Sequence, residues 1–123
     1  HAAAWVPVCA RWAYEIWVAP RRRVATLLGL EPEERRDLAR CLKRCLLKLD
    51  ALWQRTMPYV LVAHQAPLRG DHAYAHLHWE IYPFLRMPER LKYRAGSEIG
   101  AGVFTADTLP EDKARELREV EVP

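Results

Sequence analysis

The chain lacks paired cysteines, long hydrophobic runs and any segment that resembles a leader peptide. Its three cysteines, Cys9, Cys41 and Cys45, are an odd number and form no Cys-x-x-Cys pair. They are most simply thiols of a reduced protein. No stretch resembles a signal peptide or a membrane span. These absences argue against a disulfide-stapled scaffold and a membrane protein, and they predict a cytoplasmic location.

A strong charge of one sign is also absent, since the chain has 19 Lys and Arg and 16 Asp and Glu, for a net charge of +3. This balance is too mild for a dedicated DNA-binding protein, so we expect no nucleic-acid partner. Half of the 123 residues are apolar or aromatic, which supports one core and one domain over residues 1–123. The start at His1, already strand-like, predicts a piece of something longer or a trimmed chain.

Hydrophobic patterns predict an α+β fold with a mainly antiparallel sheet, one long helix and a short C-terminal helix. Apolar residues recur every three or four positions from Leu38 to Trp53, behind Pro32 in the first turn. Thr108 and Glu111 predict a capping box that opens the last helix. The predicted strands cover residues 4–9, 14–19, 59–64 (buried on both faces), the run around 76–83, and 90–95.

Histidines mark the candidate site. In a strand, His76, His78 and Glu80 share one face because side chains repeat every two residues. His64 ends the preceding strand, so neighbouring strands would bring three imidazoles together. Such a group predicts a zinc or iron site with Glu80 as a fourth donor or as a partner that orients a histidine.

A second interpretation makes His78 a nucleophile that attacks an α-phosphate and forms a covalent nucleotidyl intermediate. His76 would then orient it. Trp79 and the following residues stand where a phosphate cradle would be needed, and no glycine-rich loop follows His78. Metal binding or a structural use ranks above the nucleophile, and both stay open at this point.

The chain as a whole resembles the C-terminal half of the galactose-1-phosphate uridylyltransferase family, within the histidine-triad superfamily. The resemblance runs over nearly the whole chain and depends on motifs in a fixed order. These are Tyr14-Glu15-Ile16-Trp17-Val18-Ala19-Pro20, Met57-Pro58-Tyr59, His64-Gln65-Ala66-Pro67, His76-Leu77-His78-Trp79-Glu80-Ile81-Tyr82-Pro83, Leu91-Lys92-Tyr93-Arg94-Ala95-Gly96-Ser97-Glu98 and Leu109-Pro110-Glu111. A histidine-triad-like domain is therefore expected.

The resemblance implies an enzyme of two fused copies of one fold that exchanges UMP between UDP-glucose and galactose 1-phosphate. The nucleophile lies in a His-Pro-His motif of the first copy, which this chain lacks. The chain would be the second copy, inactive alone, with the N-terminal catalytic half and a homodimer mate as partners. His64, His76 and His78 match metal ligands of the family, which hold structural zinc or iron together with a glutamate of the first half.

The resemblance also implies contacts to the UDP-sugar and the hexose 1-phosphate. The matching positions are Lys92, Tyr93, Ala95, Ser97 and Glu98. Glu98 would accept hydrogen bonds from sugar hydroxyls. Ser97 stands where tyrosine is expected, and Phe104 falls near an expected glutamine, so the hexose stays open. Without the resemblance, Lys92 and Glu98 would be assigned to a solvated strand edge and loop.

Two alternatives to this function remain. Related transferases act on ADP-sugars or dinucleoside polyphosphates, and base recognition would lie largely in the absent half. A free-standing metal- or nucleotide-binding module without turnover is the alternative of another class.

Overall fold

A computed structural model describes all residues from 1 to 123. Its main sheet has four antiparallel strands in the order β1-β2-β4-β3, and a two-stranded ribbon joins β5 and β6. The strands are β1 Ala2–Trp5, β2 Ile16–Pro20, β3 Tyr59–His64, β4 His78–Pro83, β5 Leu85–Met87 and β6 Arg90–Leu91. The helices are α1 Pro32–Ala51, α2 Gly96–Gly100 and α3 Pro110–Glu119, with a 3-10 turn at Leu27–Gly29. The predicted α+β class is confirmed.

Helix α1 packs against β1 and β2 and forms the centre of the core with them. Its stripe buries Leu38, Cys45 and Leu49, as the spacing predicts. Pro32 occupies the first turn, where its missing N–H has no cost to the helix. None of the helices combines the length and the apolar character that crossing a membrane would need.

Strand β4 lies in the middle of the sheet and shows the alternation of a strand with two different faces. Trp79, Ile81 and Pro83 are buried on the core side, while His78 and Glu80 lie half-buried on the opposite side. Because side chains alternate across a strand, the core contacts of Trp79 and Ile81 determine where His78 and Glu80 point.

Strand β3 differs from its prediction. Its continuous apolar run predicts burial on both faces, but Tyr59, Val60 and Leu61 are each exposed by 40% or more. The reason is position, since β3 pairs only with β4 and forms an edge of the sheet, away from α1. A central strand and an edge strand that another element or chain covers are both apolar, so composition alone cannot distinguish them.

Several element boundaries also differ from the predictions. The first strand ends at Trp5, and the carbonyl of Pro7 instead accepts a turn hydrogen bond from the Ala10 amide at 3.0 Å. The predicted strand 90–95 is only Arg90–Leu91. The predicted capping box at Thr108 is wrong. The helix begins at Pro110, so Leu109 is the N-cap, and its side chain makes no cap hydrogen bond.

A buried carboxylate fixes the start of α1. Glu34 accepts two hydrogen bonds from the Arg22 guanidinium, at 2.8 and 2.7 Å, and one from the Glu31 amide at 2.9 Å. The Arg22 guanidinium, followed by the Glu31 amide, lowers the pKa of Glu34 to about 2. Arg22 therefore ties the loop after β2 to the helix.

This carboxylate makes stability depend on acid pH. The pKa of Glu34 is about 2 in the folded chain and near 4.5 in the unfolded chain, so only the unfolded state takes up the proton between these values. The stabilising contribution is present above pH 4.5 and is lost as the pH falls toward 2. In urea unfolding, we expect the free energy of unfolding of Glu34→Gln to fall less steeply than that of the parent as the pH is lowered from 4.5 toward 2. The exposed Glu33→Gln is the control, and an equal flattening there would contradict the assignment.

Candidate metal centre and substrate-contact loop

The pairing of β3 with β4 brings two histidines and a glutamate together. His64 and His78 are direct Cα partners in the antiparallel register. The Nε2 atoms of His64 and His78 each lie 3.4 Å from a different oxygen of Glu80. One ligand atom from each of the three side chains lies within 4.8 Å of the others. Strand pairing thus creates a group whose members are up to 16 positions apart in sequence.

Hydrogen bonding decides which nitrogen of His78 faces this group. Nδ1 lies 2.8 Å from the His76 carbonyl oxygen, which can only accept, so Nδ1 carries the proton. In the neutral imidazole, Nε2 then presents a lone pair toward the Glu80 carboxylate. A metal ion between these two acceptors, or a proton on either of them, would stabilise their approach to 3.4 Å.

The donor set fits a zinc or ferrous ion. Imidazole nitrogens and carboxylate oxygens bind zinc at roughly 2.0–2.2 Å, which places tetrahedral ligand atoms about 3.4 Å apart. Each imidazole nitrogen has this separation from its own oxygen of Glu80, and the ligand atoms of the group lie within 4.8 Å of one another. The Glu80 side chain is only 12% exposed and also accepts a hydrogen bond from the Tyr82 hydroxyl, which orients it. The side chains of His64, His78 and Glu80 (the metal group) can therefore hold a metal ion.

His76 lies apart from this group. The prediction places His76 and His78 on one face of a strand. However, β4 begins at His78, so His76 lies two residues before the strand and outside that face. The His76 Nε2 lies 3.1 Å from the carbonyl oxygen of Pro20, and Nδ1 lies 3.4 Å from the amide nitrogen of Val24. The ring thus joins the segment before β4 to the loop after β2, and its backbone carbonyl orients His78.

The predicted substrate contacts Lys92 and Glu98 lie inside their own loop. Lys92 Nζ donates to Glu98 Oε1 and to the Thr105 carbonyl, each at 3.2 Å. Their side chains are 6% and 0% exposed, so the assignment to a solvated edge is wrong. The Lys92 ammonium also lies 5.9 Å from the centre of the Trp12 ring. The pair closes residues 92–105 into a defined loop.

Backbone amides complete the coordination of Glu98. The amides of Ala95 and Thr105 donate to its two oxygens at 2.9 and 3.1 Å. These amides, more than Lys92, lower the pKa of the Glu98 carboxyl. Ala95 is the N-cap of α2 and is half-buried, whereas Tyr93 and Ser97 are exposed. Of the predicted substrate contacts, Tyr93 and Ser97 therefore face solvent, whereas the buried charges Lys92 and Glu98 shape the loop.

Aromatic rings connect this loop to the metal group. Trp12, beneath the Lys92 ammonium, lies 6.5 Å from the Tyr82 ring, and the Tyr82 hydroxyl donates to Glu80. Phe104 lies 4.6 Å below the guanidinium of Arg11. Sequence reasoning missed Trp12 and Tyr82, although the two-residue spacing of Glu80 and Tyr82 in a strand is a usable signal.

The contacts of Glu98 predict that the loop over residues 92–105 becomes more mobile when they are weakened. Glu98→Gln replaces a charge-assisted acceptor by an amide whose NH₂ faces a donor, so the loop loses at least one of its bonds. We expect faster amide hydrogen exchange over residues 93–105 and unchanged exchange in α1, measured by mass spectrometry. Glu119→Gln, at an exposed helix end, is the matched control. Unchanged exchange in the Glu98 variant would contradict this role.

Comparison with known proteins identifies the family. The family model described as "Galactose-1-phosphate uridyl transferase, C-terminal domain" matches residues 1–122. The chain belongs to this family. The galactose-1-phosphate uridylyltransferase of Thermotoga maritima is 38% identical over 99% of this chain and 39% of its own length. The enzyme of Rattus norvegicus is 35% identical over 92% of the chain and 31% of its own length. The chain thus spans less than half of these relatives.

Solved structures agree with this result. A structure described as a uridylyltransferase superposes with a TM-score of 0.90 and 42% identity, over 97% of this chain and 38% of that one. An ADP-glucose phosphorylase from Arabidopsis thaliana superposes with a TM-score of 0.86 and 29% identity, over 99% of this chain and 38% of that one. A Hit-like protein from Bartonella henselae, at 16% identity and a TM-score of 0.61, covers 98% of the chain and 80% of its own length, and shows the fold alone. The resemblance and the histidine-triad-like fold are confirmed.

Proposed function

We propose that this chain is the second, non-nucleophile domain of an enzyme that exchanges UMP between UDP-glucose and galactose 1-phosphate. The observation that carries the proposal is the match of residues 1–122 to the C-terminal domain of that transferase family. Residues 1–123 would form one domain of a longer cytoplasmic enzyme, with an N-terminal half as its covalent partner and a second copy of the enzyme as its dimer mate.

The proposed reaction has two displacements at one phosphorus. A histidine nucleophile of the other half attacks the α-phosphorus of UDP-glucose, and the bond to the β-phosphate oxygen breaks, which releases glucose 1-phosphate. A phosphate oxygen of galactose 1-phosphate then attacks the same phosphorus, releases the histidine and forms UDP-galactose. No His-Pro-His motif occurs in this chain, so these steps need the partner half.

The loop closed by Lys92 and Glu98 would supply contacts to the nucleotide sugar. Glu98 and Lys92 are buried and paired with each other and with backbone groups, which holds the exposed Tyr93 and Ser97 in place. Preorganised contact residues lower the entropy that binding would otherwise cost. In this proposal Tyr93, Ala95 and Ser97 touch the substrate, while Lys92 and Glu98 define the loop and offer their remaining hydrogen-bonding capacity to it.

A structural zinc or iron ion would be held by His64 and His78, and when bound it would supply a crosslink between β3 and β4. Two candidates for the third donor follow from different arguments. The geometry favours Glu80, whose two oxygens each lie 3.4 Å from one of the imidazole nitrogens. The resemblance favours His76, whose ring would first have to give up its contacts to Pro20 and Val24. We propose Glu80 as the donor in this domain.

Zinc content distinguishes the two donors. We expect about one zinc ion per chain, measured by plasma mass spectrometry, and its loss in His64→Ala and His78→Ala. Glu80→Gln should also lose most of the ion, because the amide is a weaker ligand than the carboxylate. The loop residue His72→Ala is the control and should retain it. Retention in Glu80→Gln together with loss in His76→Ala would instead establish the three-histidine set.

A second candidate function has a specific observation in its favour. The ADP-glucose phosphorylase that superposes on 99% of this chain was solved with bound ADP-glucose. A related transferase that acts on an ADP-sugar would use the same C-terminal fold. The identity of 29% with that protein is lower than the 42% with the uridylyltransferase structure, so we rank the UDP-glucose reaction first.

Turnover by the intact enzyme, with its N-terminal half, tests the proposal. We expect UDP-galactose from UDP-glucose and galactose 1-phosphate, and no product from residues 1–123 alone. Chromatography of the nucleotides measures this reaction. In a separate assay with ADP-glucose and phosphate, it measures the release of ADP. A product only from ADP-glucose would favour the second candidate. Absence of turnover with either pair, despite nucleotide binding, would favour a binding module.

A further inference from the structure

A tryptophan extends the histidine pair of the metal group into a stack of three rings. The Trp17 and His78 ring centres lie 5.6 Å apart at an interplanar angle of 30°. On its other side, His78 stacks on His64 at 4.8 Å and 14°. Trp17 stands on β2, His78 on β4 and His64 on β3, so the stack crosses three adjacent strands. His78 is the middle ring.

A buried glutamate holds Trp17 in this orientation. The Trp17 indole N–H donates to Glu15 Oε1 at 2.8 Å. The other oxygen of Glu15 accepts from the backbone amides of Arg11 and Trp12 at 2.7 and 3.3 Å. Glu15 is only 2% exposed, so its carboxylate is shielded from bulk water. The indole is thus tied to the turn before β2.

Trp17 is not a simple core residue. Its neighbours Ile16 and Val18 point to the opposite side of β2 and are 5% and 0% exposed, whereas Trp17 is half-buried. It contacts the metal-group side of the sheet, where its Cα partner is Glu80 and the ring of Trp5 meets it edge-on at 6.2 Å. The main core can therefore form without the indole.

We infer that Trp17, held by Glu15, is a positioning residue for the metal ligand His78. Three contacts fix the His78 ring: the Nδ1–H bond to the His76 carbonyl, the face of Trp17 and the face of His64. Only Nε2 is left to face Glu80. Partners that orient a ligating histidine raise metal affinity because less rotamer freedom is lost on binding. This inference depends on the proposed metal centre.

Metal affinity tests the role of the ring. Trp17→Leu and Trp17→Met remove the aromatic face, and we expect each to weaken Zn²⁺ binding on the order of 10-fold or more in competition with a chromophoric chelator. Trp17→Phe keeps a stacking face and should stay within about 3-fold of the parent. Trp53→Leu removes another half-buried indole, which packs on Tyr14 away from the site, and is the matched control.

A second measurement needs no metal. Long-range ¹H–¹⁵N NMR of the metal-free chain should show His78 as a single Nδ1–H tautomer, and Trp17→Leu should convert it to a mixture. If the parent binds no Zn²⁺, the proposed metal centre is wrong, and the tautomer measurement alone decides the positioning role. An unchanged tautomer together with unchanged Zn²⁺ affinity in both Trp17→Leu and Trp17→Met would overturn the inference.

Discussion

The antiparallel register between β3 and β4 is the constraint on which the candidate site depends. Because His64 and His78 are direct Cα partners, their rings stack, and Glu80 lies within reach of both. A shift of one residue would move His78 and Glu80 to the core side and bring Trp79 outward. The burial of Trp79 and Ile81 against the core opposes such a shift. Core packing on one face of β4 therefore positions the metal group on the other.

The two candidate functional regions of the domain are built in different ways. The metal group converges from two strands and leaves acceptor atoms facing one another, which a cation or a proton can bridge. The loop over residues 92–105 satisfies its charges internally, because Lys92, two amides and Glu98 pair with one another. The first region could accept a metal ion, whereas the second is preorganised by its own contacts. Trp12 and Tyr82 pack between them, so a disturbance in one region has a physical path to the other.

The exposed edge strand is consistent with a domain that belongs to a larger protein. Tyr59, Val60 and Leu61 lie on β3 with each side chain at least 40% exposed, although their sequence is typical of a buried strand. The curated relatives extend well beyond the length that this chain matches. An apolar edge strand with free backbone groups is a feature that soluble proteins usually cover. In the proposed enzyme, the partner half or the dimer mate would provide that cover.

Local sequence determined the elements whose signal is periodic or ordered along the chain. The stripe from Leu38 to Leu49 gave α1, the alternation at Trp79 and Ile81 gave β4, and the ordered motifs gave the family. Only the tertiary structure decided how far apart the candidate ligands lie. Strand pairing placed Glu80 between His64 and His78, and the end of β4 at His78 sent His76 to Pro20 and Val24 instead. The burial of Lys92 and Glu98 depended in the same way on Thr105 and Trp12, which spacing along the chain does not relate to them. Periodicity reports the face on which a side chain lies, but the partners across that face come from other strands and loops, and their distances exist only in the folded chain.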